Sequence, residues 1–223
     1  MKFKVKAVMI DLDGTLINTA PEIARAANVM LKALNLPELT PKKVENFIGE
    51  GAAVLISRCL AQQLNTEPAH ELLTTAKPLF FDAYMQIVAE SQPYPQVIEA
   101  LQRIKKIGLK LACITNKPAT FTMPLLEKSG LLPYFDLVVS GDTLAKKKPE
   151  PDQIFHICEK FSVLPHETVL IGDSKTDIAA ARSAGCRIFA VPYGYNQGYS
   201  IAIDSVDALI DQLGEITDLI VTE

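Results

Sequence analysis

The chain has 223 residues, of which 48% are hydrophobic and 22% are charged, and its formal net charge is −4 at pH 7. This length supports a sizeable core in one domain, or in one domain with an insertion, and the mild acidity gives no reason to expect nucleic acid or an anionic membrane as a partner. No apolar run approaches the roughly 20 residues that span a bilayer, and the basic start meets Asp11 too soon for a signal peptide, so we expect a cytoplasmic protein.

The first predicted element is a short buried strand that ends in two carboxylates. The apolar run 7–10 is typical of a strand that is covered on both faces of a parallel sheet. Asp11 and Asp13 follow at a spacing of two, which points both side chains the same way, and Gly14 allows a sharp turn. Two neighbouring like charges are unfavourable unless a cation or a shared proton offsets them. For this motif alone, a solvated turn after a core strand is the alternative interpretation.

Residues 18–90 have the composition of an all-helical unit inserted directly after the first strand. Pro21 suits the first turn of a helix, and Thr19 is a candidate N-cap. Helices are expected over 20–36, 40–47, 53–64 and 68–90, with a loop over 48–52. The predicted organisation is therefore a core domain over 1–17 and 91–223 and a helical domain over 18–90.

Strands and helices alternate from residue 95 onward, which is typical of a parallel sheet covered by helices. Helices are expected over 95–107, 118–129, 151–161, 177–184 and 205–213, and strands over 109–114, 136–139, 168–171 and 187–191. The predicted fold class is α/β, a Rossmann-like parallel sheet with helices on both faces plus the inserted all-α unit.

Each of the first four predicted strands ends in polar residues, which should converge because ligands bind beyond the carboxyl ends of such sheets. The four ends are Asp11, Thr115-Asn116, Ser140-Gly141-Asp142 and Gly172-Asp173. Asp13, Asp177 and the basic run 146–148 should lie in the same crevice. Since the three histidines and four cysteines show no ligand spacing, this oxygen-rich set suits Mg²⁺ rather than zinc. A metal, a lysine and a free carboxylate together favour phosphoryl transfer.

At this point the chain resembles the haloacid dehalogenase-like phosphatase superfamily over nearly its whole length. The four motifs of that superfamily stand in order as Asp11-Leu12-Asp13-Gly14-Thr15, Ile114-Thr115-Asn116, Lys148-Pro149-Glu150-Pro151 and Gly172-Asp173 with Asp177. The helical block is similar to the superfamily's small α-helical cap. Within the superfamily, the stretches 115–118, 147–149 and 193–196 with Gly198 look like those of bacterial phosphoglycolate phosphatases. Asn18 is a departure, because relatives often carry an acid there.

The resemblance implies a role for each motif residue. Asp11 would be the nucleophile that forms an aspartyl-phosphate, and Asp13 the general acid and base. Mg²⁺ would be held by the Asp11 carboxylate, the Asp13 backbone carbonyl and Asp173. Phosphate would be bound by Thr115, the Asn116 backbone N–H and Lys148. Asp177 would orient Lys148 or the metal waters. Lys146 and Lys147 are expected to be solvated, and Arg58 to be an ordinary exposed residue.

The expected reaction is hydrolysis of a small phosphate monoester, with 2-phosphoglycolate as the substrate, by a monomer or weak homodimer. The loop Gly49-Glu50-Gly51 is a candidate for selectivity, although two glycines can also simply punctuate helices. A capped sugar-phosphate phosphatase or phosphomutase is the alternative, since it shares all four motifs. Two non-enzyme alternatives are an aspartyl-phosphate signalling module, which needs neither Asp13 nor a cap, and a phosphate-binding protein without turnover.

Overall fold

The computed structural model describes residues 2–222 as alternating strands and helices. The strands are β1 (Phe3–Lys4), β2 (Ala7–Ile10), β3 (Ile17–Asn18), β4 (Gln92–Pro93), β5 (Lys110–Ile114), β6 (Leu137–Val139), β7 (Thr168–Gly172), β8 (Arg187–Ala190), β9 (Ala208–Leu209) and β10 (Ile220–Val221). The α-helices are α1 (Ala20–Ala33), α2 (Pro41–Glu45), α3 (Ala52–Leu64), α4 (His70–Ile87), α5 (Val97–Lys106), α6 (Ala119–Lys128), α7 (Asp152–Phe161), α8 (Lys175–Ala184) and α9 (Ile216–Leu219).

The main sheet of the described chain is parallel and has the strand order β6-β5-β2-β7-β8-β9. Strand β2 lies near its centre, and Ile10 at its end is opposite Cys113 on one neighbour and Ile171 on the other. Strands β2 and β7 are buried along their whole length, which explains the wholly apolar residues of β2 and the apolar run 169–171 of β7. The predicted α/β fold class is confirmed.

Alternate residues of the central strands pack into two apolar layers, one on each face of the sheet. Val8 and Ile10 of β2 join the layer formed with α5, α6 and α9, whereas Ala7 and Met9 join the layer formed with α7 and α8. The helices therefore cover both faces and leave the carboxyl edge of the sheet open to hold a site.

Helices α1 to α4 lie between the two short strands β3 and β4, which pair antiparallel. This ribbon stands at both of the boundaries predicted for the helical domain. Helix α1 packs against the other three helices of the block. Thr19 stands at the predicted N-cap position of α1, but its hydroxyl makes no capping bond and donates to Asp13 Oδ1 at 2.7 Å instead. The Tyr195 hydroxyl accepts the backbone N–H groups of Thr19 and Ala20 at 2.8 and 2.9 Å.

The predicted helix over 205–213 is wrong. Val206, Ile210 and Leu213 are buried at a helical spacing, yet the segment contains β9, which extends the main sheet beside β8. The Asp207 carboxylate accepts the backbone N–H of Ile188 at 2.9 Å and thereby holds the strand at the sheet edge. Elsewhere the predicted elements agree with the structure to within a few residues at each end. No helix within residues 2–222 is long and apolar enough to cross a membrane.

Candidate active site

The ends of β2, β5 and β7 bring Asp11, Thr115 and Asp173 together at the carboxyl edge of the sheet, and all three are buried. The turn after β2 approaches the end of β7 so closely that only glycine fits at Gly14. Its φ is +86°, and a Cβ there would lie 2.5 Å from Oδ2 of Asp173. The Thr15 hydroxyl donates to Oδ1 of the same carboxylate at 3.3 Å. This turn therefore positions Asp173 against the first motif.

The Lys148 ammonium is buried between two carboxylates. It donates to Asp11 Oδ1 and to Asp177 Oδ1 at 2.6 Å each, and to the Ile114 carbonyl at 3.1 Å. Burial by itself lowers the pKa of Lys148, but Asp11 and Asp177 more than offset that effect, so its pKa is above the ordinary lysine value. Lys148 is therefore charged at neutral pH. It is a fixed cation beside Asp11.

Gln153 at the start of α7 holds the loop that carries Lys148. Its Oε1 accepts the Lys148 backbone N–H at 3.3 Å, and its Nε2 donates to the carbonyls of Thr115 and Ser140 at 3.1 and 3.0 Å. One buried amide thus connects the loop that follows β5 with both ends of the long loop between β6 and α7, which carries Ser140 and Lys148. The sequence reasoning did not identify this residue.

Three buried carboxylates, those of Asp11, Asp173 and Asp177, offer oxygens that lie within 4.8 Å of one another. Burial raises the pKa of Asp11 well above its ordinary value against the opposing effect of Lys148, and burial together with Asp177 raises the pKa of Asp173 to about 7. A cation would offset this excess of negative charge. All three carboxylates also accept hydrogen bonds within the protein: Asp177 from Lys148 and Ser174, Asp173 from Thr15 and the Tyr195 backbone N–H, and Asp11 from Lys148. The oxygen donors fit a divalent metal ion.

The Asp13 carboxylate has partners of its own, separate from those of Asp11. Its Oδ1 accepts from the Thr19 hydroxyl at 2.7 Å, and Lys117 Nζ lies 2.8 and 3.0 Å from its two oxygens. Lys117 is buried, and its pKa is above the ordinary lysine value because Asp13 and Tyr84 outweigh the lowering effect of burial. The two aspartates of the first motif therefore stand in two distinct environments.

Asn116 connects the site to the helical block. Its Nδ2 donates to the Gly49 carbonyl at 2.9 Å and to the Lys148 carbonyl at 2.7 Å. A Cβ on Gly51 would lie 2.5 Å from Lys147 Nζ and 3.0 Å from the Asn116 carbonyl oxygen. The loop between α2 and α3 thus lies directly against the motif residues.

A cavity that opens to solvent lies between this motif edge and the helical block. The α/β core contributes the polar part of the lining. The helical block contributes mainly apolar side chains and the ring of Tyr84. The large apolar side chains of the wall, including Phe121 of the core, are Ile23, Ile48, Leu55, Phe80 and Phe121. The space suits a small molecule with one strongly polar end.

Residues 8–191 match the family model of haloacid dehalogenase-like hydrolases. The chain belongs to this family. This haloacid dehalogenase-like hydrolase is 48% identical to a phosphoglycolate phosphatase of Nitrosospira multiformis over 217 residues. The aligned residues make up 97% of this chain and 96% of that protein. A phosphoglycolate phosphatase of Thiobacillus denitrificans is 46% identical over 212 residues, or 95% and 93% of the two chains. A crystal structure of a predicted phosphoglycolate phosphatase from Haemophilus somnus 129pt superposes with a TM-score of 0.91 at 35% identity, covering 96% of this chain and 97% of that one.

The structure of this haloacid dehalogenase-like hydrolase brings together the residues predicted for the site. They are Asp11, Asp13, Thr115, Asn116, Lys148, Asp173 and Asp177. Lys146 is exposed as expected, but Lys147 is only half-exposed and faces Gly51. The description of Arg58 as an ordinary exposed residue is wrong, since its guanidinium pairs with Glu50 at 2.6 Å.

Besides Gln153, the sequence does not predict the site roles of Lys117 and Tyr84. Lys117 stands in a stretch that was noted for its resemblance, yet nothing local shows that it reaches Asp13, 104 positions away. Tyr84 lies on α4, and only the packing of that helix reveals that its side chain faces the cavity.

Proposed function

We propose that the chain is a Mg²⁺-dependent phosphatase that hydrolyses 2-phosphoglycolate to glycolate and phosphate through an aspartyl-phosphate. The observation that carries the proposal is the division of labour between two neighbouring carboxylates. Asp11 lies against Lys148, whereas Asp13 is held by Thr19 and Lys117. The near full-length likeness to proteins named phosphoglycolate phosphatases supports the choice of substrate.

Asp11 is the nucleophile in this proposal. Lys148 holds its Oδ1, which leaves Oδ2 to attack phosphorus in line with the leaving oxygen. The Asp11–phosphorus bond forms while the bond from phosphorus to the glycolate oxygen breaks. The Lys148 ammonium and the Thr115 and Asn116 groups stabilise the charge on the transferring phosphoryl oxygens.

Asp13 moves the protons. In the first step it donates its proton to the departing glycolate oxygen. In the second step it takes a proton from a water molecule that attacks the phosphorus of the aspartyl-phosphate, which releases phosphate and regenerates the Asp11 carboxylate. The hydrogen bond from Thr19 and the contact with Lys117 fix its position for both steps.

Mg²⁺ would be held by the carboxylates of Asp11 and Asp173 together with the Asp13 backbone carbonyl. It would supply charge neutralisation at the phosphoryl oxygens. Asp177 would position Lys148, because its carboxylate accepts a hydrogen bond from the Lys148 ammonium and another from the Ser174 hydroxyl.

The helical block over 18–90 would serve as a cap domain that covers the substrate and excludes bulk water while the phosphoryl group is transferred to Asp11. The core domain would comprise 1–17 and 91–223. The cytoplasmic location and the monomer or weak homodimer state stay predictions from the sequence.

Release of inorganic phosphate from 2-phosphoglycolate tests the proposal, with purified protein, excess Mg²⁺ and a chelator-treated control. Wild-type protein should release phosphate only with the metal, and Asp11→Asn should release none while keeping the wild-type circular dichroism spectrum. Stoichiometric release of free phosphate distinguishes hydrolysis from a phosphomutase reaction. Undiminished release by a well-folded Asp11→Asn variant would rule out the covalent mechanism.

A further inference from the structure

The cavity of the candidate site is lined by a buried cation other than Lys148. Among the described residues that line it, Lys117 is the one lysine or arginine. The wall around it is largely apolar, and in such surroundings a charged group is stable only with an opposite charge or hydrogen bonds. A substrate group placed there meets this ammonium, the Asp13 carboxylate that the ammonium contacts, and an apolar wall.

The Lys117 ammonium lies between Asp13 and an aromatic ring of the helical block. Its Nζ is 2.8 Å from Asp13 Oδ1 and 4.9 Å from the centroid of the Tyr84 ring. Ammonium over a ring face is favourable. An ammonium has three donors, so it can hold Asp13 and a second anion at once.

The Tyr84 hydroxyl supplies an independent observation. Tyr84 is 2% exposed, and its hydroxyl has no hydrogen-bond acceptor among the described residues, although the Lys117 ammonium lies close to its oxygen. The ring is held in place by Phe80 and Phe121, at centroid distances of 5.7 and 4.9 Å. Burial raises the pKa of Tyr84 to about 12, against the opposing effect of Lys117, so the hydroxyl keeps its proton. A buried donor without an acceptor, beside a cation in a ligand cavity, is the arrangement that an anionic ligand would complete.

We propose that Lys117 and Tyr84 together bind the carboxylate of the leaving group. Lys117 belongs to the core and Tyr84 to the helical block, so both parts of the protein would recognise this carboxylate. This inference rests on the proposed function. Asp13 must touch the oxygen that bridges phosphorus and glycolate, and the carboxylate carbon is two bonds, or about 2.5 Å, from that oxygen. The carboxylate therefore lies within reach of the ammonium that contacts Asp13.

The proposal explains selectivity against uncharged leaving groups. A phosphate ester without the carboxylate leaves the Tyr84 hydroxyl and one face of the Lys117 ammonium buried without an anion, which is unfavourable. Lys147 is the competing candidate, since it lies at the loop beside Gly51. It stands outside the set of residues that line the cavity.

The test compares kcat/KM for 2-phosphoglycolate with kcat/KM for 2-hydroxyethyl phosphate, in which an alcohol replaces the carboxylate. The ratio of the two constants should fall about tenfold in Tyr84→Phe and at least as much in Lys117→Met, the effect of losing a hydrogen bond to a charged group. Tyr84→Phe removes one oxygen only and preserves the packing. Lys146→Met, a change at an exposed lysine of the same run, should leave the ratio unchanged.

A binding measurement separates recognition from chemistry. In the Asp11→Asn background with Mg²⁺, adding Tyr84→Phe should weaken binding of 2-phosphoglycolate about tenfold and leave binding of 2-hydroxyethyl phosphate unchanged, as measured by calorimetry.

The outcomes distinguish the two proposals. If wild-type protein does not prefer 2-phosphoglycolate, the proposed substrate is wrong. If wild-type protein prefers it but the Tyr84 and Lys117 variants lose equally on both esters, this inference is overturned and the proposed function stands. Collapse of the ratio in Lys147→Met, with the other two unaffected, would likewise overturn it and assign the carboxylate to the loop.

Discussion

Replacing Lys148 by methionine should destabilise the metal-free protein far more than a lysine substitution ordinarily does. The ammonium is 2% exposed and donates to Asp11 and Asp177 at 2.6 Å each. Methionine fills much of the same volume but leaves two buried carboxylates without their cation. Removing one partner of a buried ion pair lowers the free energy of unfolding by about 3–5 kcal/mol.

Chemical denaturation in excess chelator at neutral pH measures this difference. Because the pKa of Lys148 is raised, its ammonium stays charged below about pH 10.5, a range that includes the neutral pH of the measurement. For a chain of this length the loss corresponds to a fall in Tm of about 10 °C. Adding Mg²⁺ should stabilise Lys148→Met more than wild type, since the cation replaces part of the lost positive charge at Asp11.

Two further variants test whether the loss in Lys148→Met comes from the buried charges. Lys146→Met removes an exposed lysine and should change the free energy of unfolding by less than about 0.5 kcal/mol. Lys148→Met combined with Asp177→Asn removes one of the two stranded charges and should recover part of the loss while staying inactive. A loss below about 1 kcal/mol in Lys148→Met, the range of exposed pairs, would refute the account of a buried three-group network.

The remaining predictions concern the turn after β2, the metal cluster and the sheet edge. Gly14→Ala should lose both stability and metal-dependent activity, because its Cβ would meet Asp173, whereas Gly108→Ala, at φ +81° in open space, should lose only the roughly 1–2 kcal/mol of backbone strain. Without metal, the free energy of unfolding should rise as pH falls through about 7, because protonation relieves the buried Asp173 charge, and Mg²⁺ should abolish that gain in denaturation titrations at several pH values. Asp136→Ala should lower stability by about 1 kcal/mol without changing kcat, since the carboxylate accepts the Leu111 backbone N–H at 2.8 Å far from the site.

Two acidic residues of the site, Asp11 and Asp173, could be located from the sequence because each follows directly after the end of a strand. A buried apolar run that stops at Asp11 or Asp173 identifies both the strand and the edge at which the carboxylate emerges. Lys148 could be placed only by its motif, since its approach to Asp11 depends on the long loop after β6. Such contacts depend on tertiary structure and have no local periodicity.

The misread elements have the same physical origin. Val206, Ile210 and Leu213 have helical spacing, but the open edge of β8 recruits the segment as a strand through backbone hydrogen bonds. Tyr84 reads as an ordinary core aromatic of a helix, and its position in the cavity follows only from how α4 packs. In both cases tertiary packing determines the structure, because the local sequence pattern is compatible with more than one arrangement.

The most direct test of the central claim is a comparison of kcat/KM for 2-phosphoglycolate, hexose phosphates, nucleotides and pyrophosphate under identical Mg²⁺. The apolar cavity beneath the helical block, with Lys117 as its cation, predicts that 2-phosphoglycolate has the highest value. A value for any other ester that exceeds it tenfold, about 1.4 kcal/mol of transition-state preference, would contradict the assignment of the substrate.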